Sequence, residues 1–466
     1  MLRFPPETLA QWTLGTWHGL PAEPIRGFRL DSRRVQPGDL FFALRTELRD
    51  GHDFVGAAQA AGAVGAVVER LIPDCPLPQL LVESPERALQ AMARAHRLRF
   101  PGKVIGITGS CGKTSCKEML AALLGRERTH FTEGNLNNHL GLPLTLLGLD
   151  PARHDQAVVE AGINHTGEMD VLGDILQPDA AIITHIGEAH LAGLGGNLEG
   201  VAREKGTLLR HVRAGGFAAY PGACLAYAPF AEAPAQLEKI FLTGTELPAP
   251  KADTRFVSTN YKTDSENPGD PGGDCLLCVR QSPARVEEIP GVPRLSAGML
   301  SNLVLAWTVA RALGVPADTL RGRIAQWQPS FGRADLRIIG GRSYFVDCYN
   351  ANPASMRDSL RFFQERFPQP PRCYVLGGMK ELGAVAPAAH REAAALLQLE
   401  AADTAVFVGE EGAWYREGLG RADSAAVVAD ADAARPLVEA SSGPVFLKGS
   451  RAYALEKLLP AEVYAC

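Results

Sequence analysis

Residues 103–118 read KVIGITGSCGKTSCKE. Val104–Thr108 has the apolar character and length of a buried strand. From Thr114 to Leu124 the composition is helical, and Gly125 stops it. Between them lies a glycine loop that ends in Gly-Lys-Thr. A strand feeding such a loop and then a helix turns backbone N–H groups and the positive end of the helix toward an anion. Lys113 adds a mobile cation for the β- and γ-phosphates of a nucleotide, and Thr114 offers a hydroxyl to Mg2+. The general spacing GxxxxGK[ST] asks for glycine at 107, where this chain has Ile107; its glycines are Gly106, Gly109 and Gly112. TGxxGKT still supplies the loop, and the flanking strand and helix weigh against a chance turn. Thr108, Gly109, Ser110, Cys111, Gly112, Lys113, Thr114 and Ser115 are therefore the candidate nucleotide contacts. Cys111 has two readings: a thiol whose pKa falls near a helix N-terminus, or a small filler of the loop, which is preferred.

Outward from this stretch, strands and helices alternate through AVVEAG (157–162) and AAIITHIG (180–187). Such alternation predicts a parallel sheet with crossover helices. Glu160 and His185 fall at carboxyl ends of strands, with His190 a few residues on. Ligands bind along that edge of open parallel sheets, although a glutamate or histidine at a strand end is also commonly structural. In NLEGVAREKGTLLRHV (197–212), Leu198, Val201, Leu208 and Val212 mark one helix face. Lys205 falls on that face, whereas Arg203 and Glu204 fall elsewhere. Spacing alone leaves two readings open: a snorkelling lysine, or one aimed at the phosphates. An ammonium cannot bind Mg2+, but a carbamate formed with CO2 presents hard oxygens that suit it.

The chain has 466 residues, enough for two to four domains. Hydrophobic residues make up 46% and charged residues 21%, so sizeable cores can form. A net charge of −5 lacks the overall basic bias of a nucleic-acid binder. No run approaches the ~20 apolar residues of a membrane span, and the N-terminus has no apolar core of signal-peptide length. The nine cysteines are scattered, as for reduced thiols, and a cytoplasmic location is expected. Cys275 and Cys278 form a lone CxxC, read as part of a strand.

The expected fold class is α/β in three domains. Residues 1–97 form a small N-terminal α/β domain, with strands in LFFAL (40–44) and AVGAVVE (63–69). Residues 98–328 form a central phosphate-loop domain with a parallel sheet. Within it, TDSENPGDPGGD (263–274) reads as an exposed loop between strands, and SNLVLAWTVARALG (301–314) as a helix closed by glycine. Residues 329–466 form a C-terminal Rossmann-like domain with strands in SYFVDCYN (343–350), CYVLGG (373–378), AAVVA (425–429) and PVFLKG (444–449).

Several stretches together resemble the Mur ligases, ATP-dependent amide-forming enzymes of peptidoglycan synthesis. They are LDSRRVQPGDLFFAL (30–44), DGHDF (50–54), TGSCGKTSCKEM (108–119), TEGNLNNHLGLPLTLL (132–147), EAGINHTGEM (160–169), THIGEAHLAGLG (184–195), REKG (203–206), DCYNANPASM (347–356) and LKGSR (447–451). The resemblance covers all three regions in order. GNLNN followed by GxPxTLL, and YNANPxSM, point within the family to UDP-N-acetylmuramoyl-tripeptide and D-alanyl-D-alanine as substrates. ATP and Mg2+, with two ions expected, are the implied cofactors, and a monomer is expected. The resemblance makes Lys113, Glu160, His190 and Lys205 catalytic, with Lys205 matching a lysine carbamylated in these ligases. It places Mg2+ on Thr114, Glu160, His190 and Lys205. Asn302, Arg333 and Asp347 match ATP contacts. Ser32 and Arg33 match the segment that meets the UDP moiety, and Asn137 and Asn138 the segment facing substrate and phosphates. Asn350, Asn352, Lys448 and Arg451 match the substrate side of the third domain.

There are departures from the family pattern. SAGM (296–299) stands where relatives show Gly-x-His-Asn, Gly378 stands where an acid is common, and Arg45-Thr46 replaces a KG. The alternatives weighed are a Mur ligase that adds a single amino acid, a phosphate-loop NTPase that drives a partner, and a nonenzymatic nucleotide-binding protein. Folylpolyglutamate synthase is disfavoured by YNANP and the uridine-type N-terminal segment.

Overall fold

The computed structural model describes residues 2–234, 236–243, 255–263, 275–282, 285–420 and 425–460. Apart from Thr263, the stretch read as the loop TDSENPGDPGGD lies outside them. Three α/β domains follow one another, each around its own sheet. In the first, strands Gly27–Arg29, Asp39–Phe42, Gly65–Val68 and Gln79–Leu81 run parallel, and Thr16–His18 closes the edge antiparallel.

The central sheet is built on the opening motif. Strand Lys103–Thr108 lies between Gln156–Glu160 and Ala180–Ile183, parallel to both. All three are buried almost throughout, because helices cover both faces and leave no solvent side for polar alternation. Ile107 pairs with Glu160 and Thr108 with Ile183, so the carboxyl ends of the three strands finish level. The parallel order runs on through Phe217–Pro221, Glu238–Thr243 and Arg255–Thr263. Cys275–Ser282 and Arg285–Val292 then add antiparallel. Cys275 and Cys278 thus sit in a strand, as their spacing suggested.

Helix Ala297–Ala312, capped by Ser296, is buried nearly all round against the phosphate-loop helix Lys113–Leu124. In the third domain, strands Arg342–Asp347, Val445–Lys448, Cys373–Gly377, Thr404–Val408 and Ala425–Val428 are parallel, and Asp335–Ile339 joins antiparallel. Sequence reading missed Asp335–Ile339 and Thr404–Val408. Among the described residues no helix is long and apolar enough to cross a membrane.

The two domain junctions differ in kind. Helix Pro85–Arg99 of the first domain shares one apolar cluster with the central domain, in which Leu89 and Met92 join Leu142, Leu146 and Leu172. Beside it the fully buried Arg97 donates to Asp179 Oδ2 at 2.7 Å and to the carbonyls of Leu176 and Gln177 at 2.9 and 2.8 Å. The same Asp179 oxygen accepts the Val104 N–H at 3.0 Å, which ties the pair to the start of the motif strand. The third domain keeps its own cores and meets the central one through polar contacts and a few small apolar ones.

Removing one partner of a buried ion pair strands the other, at a cost of about 3 kcal/mol or more. Asp179→Ala should therefore lower unfolding stability by about that amount and shift the urea midpoint down. An unchanged midpoint would show that the pair does not hold this junction.

Candidate active site

The phosphate loop is shaped by two glycines whose missing side chains are required. Gly109 has φ 152°, and a Cβ there would stand 2.0 Å from Thr184 Oγ1. Gly112 has φ 80°, and its Cβ would lie 2.6 Å from Asn302 Nδ2. Thr184 follows strand Ala180–Ile183, and Asn302 lies on helix Ala297–Ala312, so the loop is wedged between two elements. Ser110 is fixed twice, its N–H donating to His185 O and its hydroxyl to Gly187 O, both at 2.8 Å. Thr108 Oγ1 donates to Ala161 O at 2.7 Å. Loss of surrounding water pushes the Cys111 thiol up to about 11, which agrees with a filler rather than a reactive thiolate. Ser115 is buried on the first helical turn. Lys113 Nζ donates to Gly109 O at 2.8 Å, folded over the loop it serves. Burial lowers its pKa, and the nearby Glu160 opposes that shift.

Glu160 is fully buried at its strand end. Its Oε2 accepts from Thr114 Oγ1 at 3.2 Å and Asn137 Nδ2 at 3.3 Å. Its Oε1 has no hydrogen-bond partner, although Lys117 Nζ stands 3.4 Å away. Lys117 was missed in the sequence. It is buried, donates to Thr132 O at 2.7 Å and pairs with Glu118 at 3.0 Å. The available signal was its i+4 spacing from Lys113, which puts both on one helix face. Lys205 is fully buried, and its Nζ also lacks a partner. Burial first, then the charge of Lys113, depress its pKa well below the usual lysine range. A snorkelling lysine would reach water, so the structure corrects that reading. Glu204, read as falling elsewhere, is also buried; its Oε1 accepts from Gly167 N at 2.8 Å and Met169 N at 3.0 Å, capping helix Glu168–Leu176.

An orphaned carboxylate oxygen, a hydroxyl beside it and a buried amine that could take up CO2 as a carbamate are donors suited to a hard cation. Among the described residues no three side chains of histidine, cysteine, aspartate or glutamate gather into a metal group. Protein ligands would then be few, as Mg2+ on a nucleotide requires. His190 does not bond Glu160; its Nδ1 lies 2.8 Å from Glu381 of the third domain. His185 lies at the mouth of the loop, its pKa lowered by burial.

The remaining residues divide by what they touch. Asp347 does not reach out: it accepts from Ala334 N at 3.1 Å, Ser359 Oγ at 2.6 Å and Lys448 Nζ at 2.5 Å. Lys448 is consequently buried and turned to Asp347. Arg333 lies over the Tyr349 ring at 3.9 Å, with Arg451 at 5.2 Å from the same ring. Asn350 is exposed beside them. Asn352 caps helix Pro353–Arg366, and its Nδ2 reaches Ser110 O of the phosphate loop at 3.4 Å. Asn137 holds Glu160. Asn138 Oδ1 accepts from Leu140 N at 3.3 Å and Gly141 N at 2.9 Å, in the turn before the following helix. Ser32 and Arg33 lie on a short helical turn of the first domain, where Arg33 pairs with Asp31 at 2.7 Å.

Two departures from the family pattern are explained by packing. Ser296 Oγ donates to Asp358 Oδ2 at 2.6 Å, and Gly298 N–H to Asp358 Oδ1 at 3.0 Å. SAGM thus docks the third domain instead of presenting histidine and asparagine. A Cβ at Gly378 would meet Tyr453 Oη at 2.5 Å and Glu411 Cδ at 2.7 Å. Glu411 receives Lys380 Nζ at 2.5 Å and the Tyr453 hydroxyl, so its carboxylate fills the space beside residue 378.

A parallel sheet with a phosphate loop at its carboxyl edge, faced by another α/β domain that touches the loop, defines a nucleotide site shared between domains. Residues 24–97 match the Mur ligase family catalytic domain, residues 107–266 the Mur ligase middle domain, and residues 332–451 the Mur ligase glutamate ligase domain. The chain is 31% identical over 399 residues to the UDP-N-acetylmuramoyl-tripeptide–D-alanyl-D-alanine ligase of Bacillus subtilis, covering 84% of this chain and 82% of that one. A crystal structure of MurF from Acinetobacter baumannii is similar over 98% of both chains, with 30% identity and a TM-score of 0.84. MurF ligase from Thermotoga maritima in complex with ADP is 26% identical, covers 93% of this chain and 96% of that one, and has a TM-score of 0.78. The chain belongs to the Mur ligase family.

The packing at residue 378 makes a prediction. Gly378→Asp restores the acid common among relatives but forces a side chain against Glu411 and Tyr453. Overpacking of this kind costs about 1–3 kcal/mol, so the melting temperature should fall. Glu411→Ala in the same chain should recover part of the loss. Unaltered melting of the single variant would refute the packing account.

Proposed function

We propose that the protein joins the terminal carboxylate of UDP-N-acetylmuramoyl-tripeptide to the amine of D-alanyl-D-alanine, with ATP cleaved to ADP and phosphate. The observation that carries this reading is the likeness, over more than four fifths of both chains, to a ligase named for that reaction. The intact phosphate loop with Lys113 and Glu160 supports it.

A carboxylate is a poor acyl donor, because oxide would have to leave. A carboxylate oxygen of the tripeptide attacks the γ-phosphorus of ATP, ADP leaves, and an acyl phosphate forms. The dipeptide nitrogen then attacks the acyl carbon; phosphate leaves with the acyl oxygen, and the nitrogen gives up its proton. Lys113 swings from Gly109 O onto the transferring phosphoryl oxygens, where charge spreads in the transition state. Backbone N–H groups of Ser110 to Thr114 hold the phosphates beside it. Mg2+, two ions in our reading, neutralises phosphate charge when bound, and Thr114, Glu160, His190 and a carbamylated Lys205 are the groups that would hold it. Lys117, 3.4 Å from Glu160 Oε1, helps to orient that carboxylate beside the loop. Arg333, Asn302 and Asp347 shape the nucleotide side. The first domain, residues 1–97, receives the uridine end through the Ser32–Arg33 turn. The central domain, residues 98–328, holds ATP, and the third, residues 329–466, presents the acceptor near Asn350 and Arg451. Contacts from two domains on one loop would exclude water from the acyl phosphate. Cys75, Cys111, Cys116, Cys224, Cys348 and Cys373 are all unpaired, in keeping with action in the reducing cytoplasm; a monomer is our reading of its assembly.

Phosphate release with UDP-N-acetylmuramoyl-tripeptide and ATP, with acceptors added in turn, tests the reading. D-Ala-D-Ala should support release far better than D-Glu, L-Ala or a diamino acid. A single amino acid that works better would reassign the acceptor.

Lys205 gives a second test. Lys205→Ala should be nearly inactive, and a short carboxylic acid such as acetate should restore part of the activity by supplying the missing oxygens. Bicarbonate depletion should slow the unaltered enzyme. Full activity of Lys205→Ala, with no response to acid or bicarbonate, would discard the carbamate.

A further inference from the structure

The contact between His190 and Glu381 is used by nothing derived above. His190 belongs to the central domain, in the loop after strand Ala180–Ile183, and Glu381 belongs to the third, after strand Cys373–Gly377. Their side chains meet at 2.8 Å, His190 Nδ1 to Glu381 Oε2. Both residues hold left-handed backbone, at φ 55° and 66°. A residue with a Cβ adopts that conformation only against a steric penalty, and such outliers collect at functional sites. The loops touch again one turn on, where the space for a Cβ on Gly383 lies 3.5 Å from the Ala192 methyl. Leu382, next to Glu381, is buried and anchors its loop. Glu381 also feels the charge of Lys113, so the pair lies beside the phosphate loop.

We infer that Glu381 is a positioning residue for His190. This inference rests on the proposed reading of His190 as a group facing Mg-ATP. An imidazole presents a lone pair at one ring nitrogen only when the other carries the proton. A carboxylate that accepts the Nδ1–H fixes that tautomer, leaves Nε2 free to ligate and holds the ring plane. Because the carboxylate comes from the third domain, docking of the acceptor domain makes the central domain's histidine ready. The competing account is an exposed interdomain ion pair: the Glu381 side chain is 63% exposed, and such pairs contribute little. That account predicts no effect on metal binding.

Two variants separate the accounts in the full chain. Glu381→Gln keeps an oxygen that can accept from Nδ1–H. Glu381→Asn tolerates the left-handed backbone but is one methylene too short to reach. Mn2+ binding is measured by electron paramagnetic resonance with a non-hydrolysable ATP analogue and no acceptor, and the His190 tautomer by 15N NMR. Glu381→Asn should weaken Mn2+ binding by about ten- to a hundred-fold and turn one tautomer into a mixture. Glu381→Gln should stay within a few-fold of the unaltered protein. Adding Glu381→Asn to His190→Ala should change nothing more. Mn2+ affinity and tautomer unchanged in Glu381→Asn would overturn the inference alone. Failure of the unaltered protein to bind Mn2+ with the nucleotide would overturn the reading of the site, and the inference with it.

Discussion

Gly112 lacks a side chain at the point where Asn302 crosses the loop, and Gly109 lacks one where Thr184 does. The close approach of a glycine loop to the end of one strand and the flank of one helix is the constraint on which the rest of the site depends. It needs strands Lys103–Thr108 and Ala180–Ile183 in register and helix Ala297–Ala312 pressed on the loop helix, which the apolar core beneath them secures. With the loop placed, Lys113 and Thr114 start a helix whose N-terminus opens on the same edge. Glu160 ends its strand there because its register partner is Ile107.

The electrostatics of that edge are unbalanced. Lys113 and Lys117 lie near Glu160, and burial with the charge of Lys113 lowers the Lys205 pKa well below the usual lysine range. Keeping cations in a poorly solvated site is unfavourable unless anions meet them. The protein supplies too few. A nucleotide's phosphates would complete the balance, so the tension in the loop is relieved by the ligand whose chemistry the residues suit.

Much of this was legible in the residues, and what was not has a physical reason. The phosphate loop, the parallel order around it and Glu160 at a strand end follow from local pattern, because strand, turn and helix signals there all agree. Lys117 was hidden, since its role depends on Glu160, which is distant in sequence. Glu204 was read from helical spacing as facing away, yet the neighbouring helix arrives over it and takes its carboxylate as a cap. The pairing of Lys448 with Asp347 was hidden, since strand register brings together residues 101 positions apart. Asp335–Ile339 escaped notice because an edge strand with a half-exposed face carries a weak signal. Gly378 departs from the acid common in the family for a reason local pattern does not carry: Glu411, distant in sequence, fills the space beside it.

The two junctions have unequal stiffness. A shared apolar cluster and the Arg97–Asp179 pair weld the first domain to the start of the central strands, whereas polar contacts and a few small apolar ones join the third. Interfaces of the second kind let domains move. The span from the Ser32–Arg33 turn to the phosphate loop is therefore a fixed length. With the donor's nucleotide end at that turn, as proposed, its carboxylate would reach the loop only if its peptide matched that length. Under the proposed function the weld would act as a ruler: it would measure the donor before any chemistry begins, and the third domain would be left to meet the acceptor.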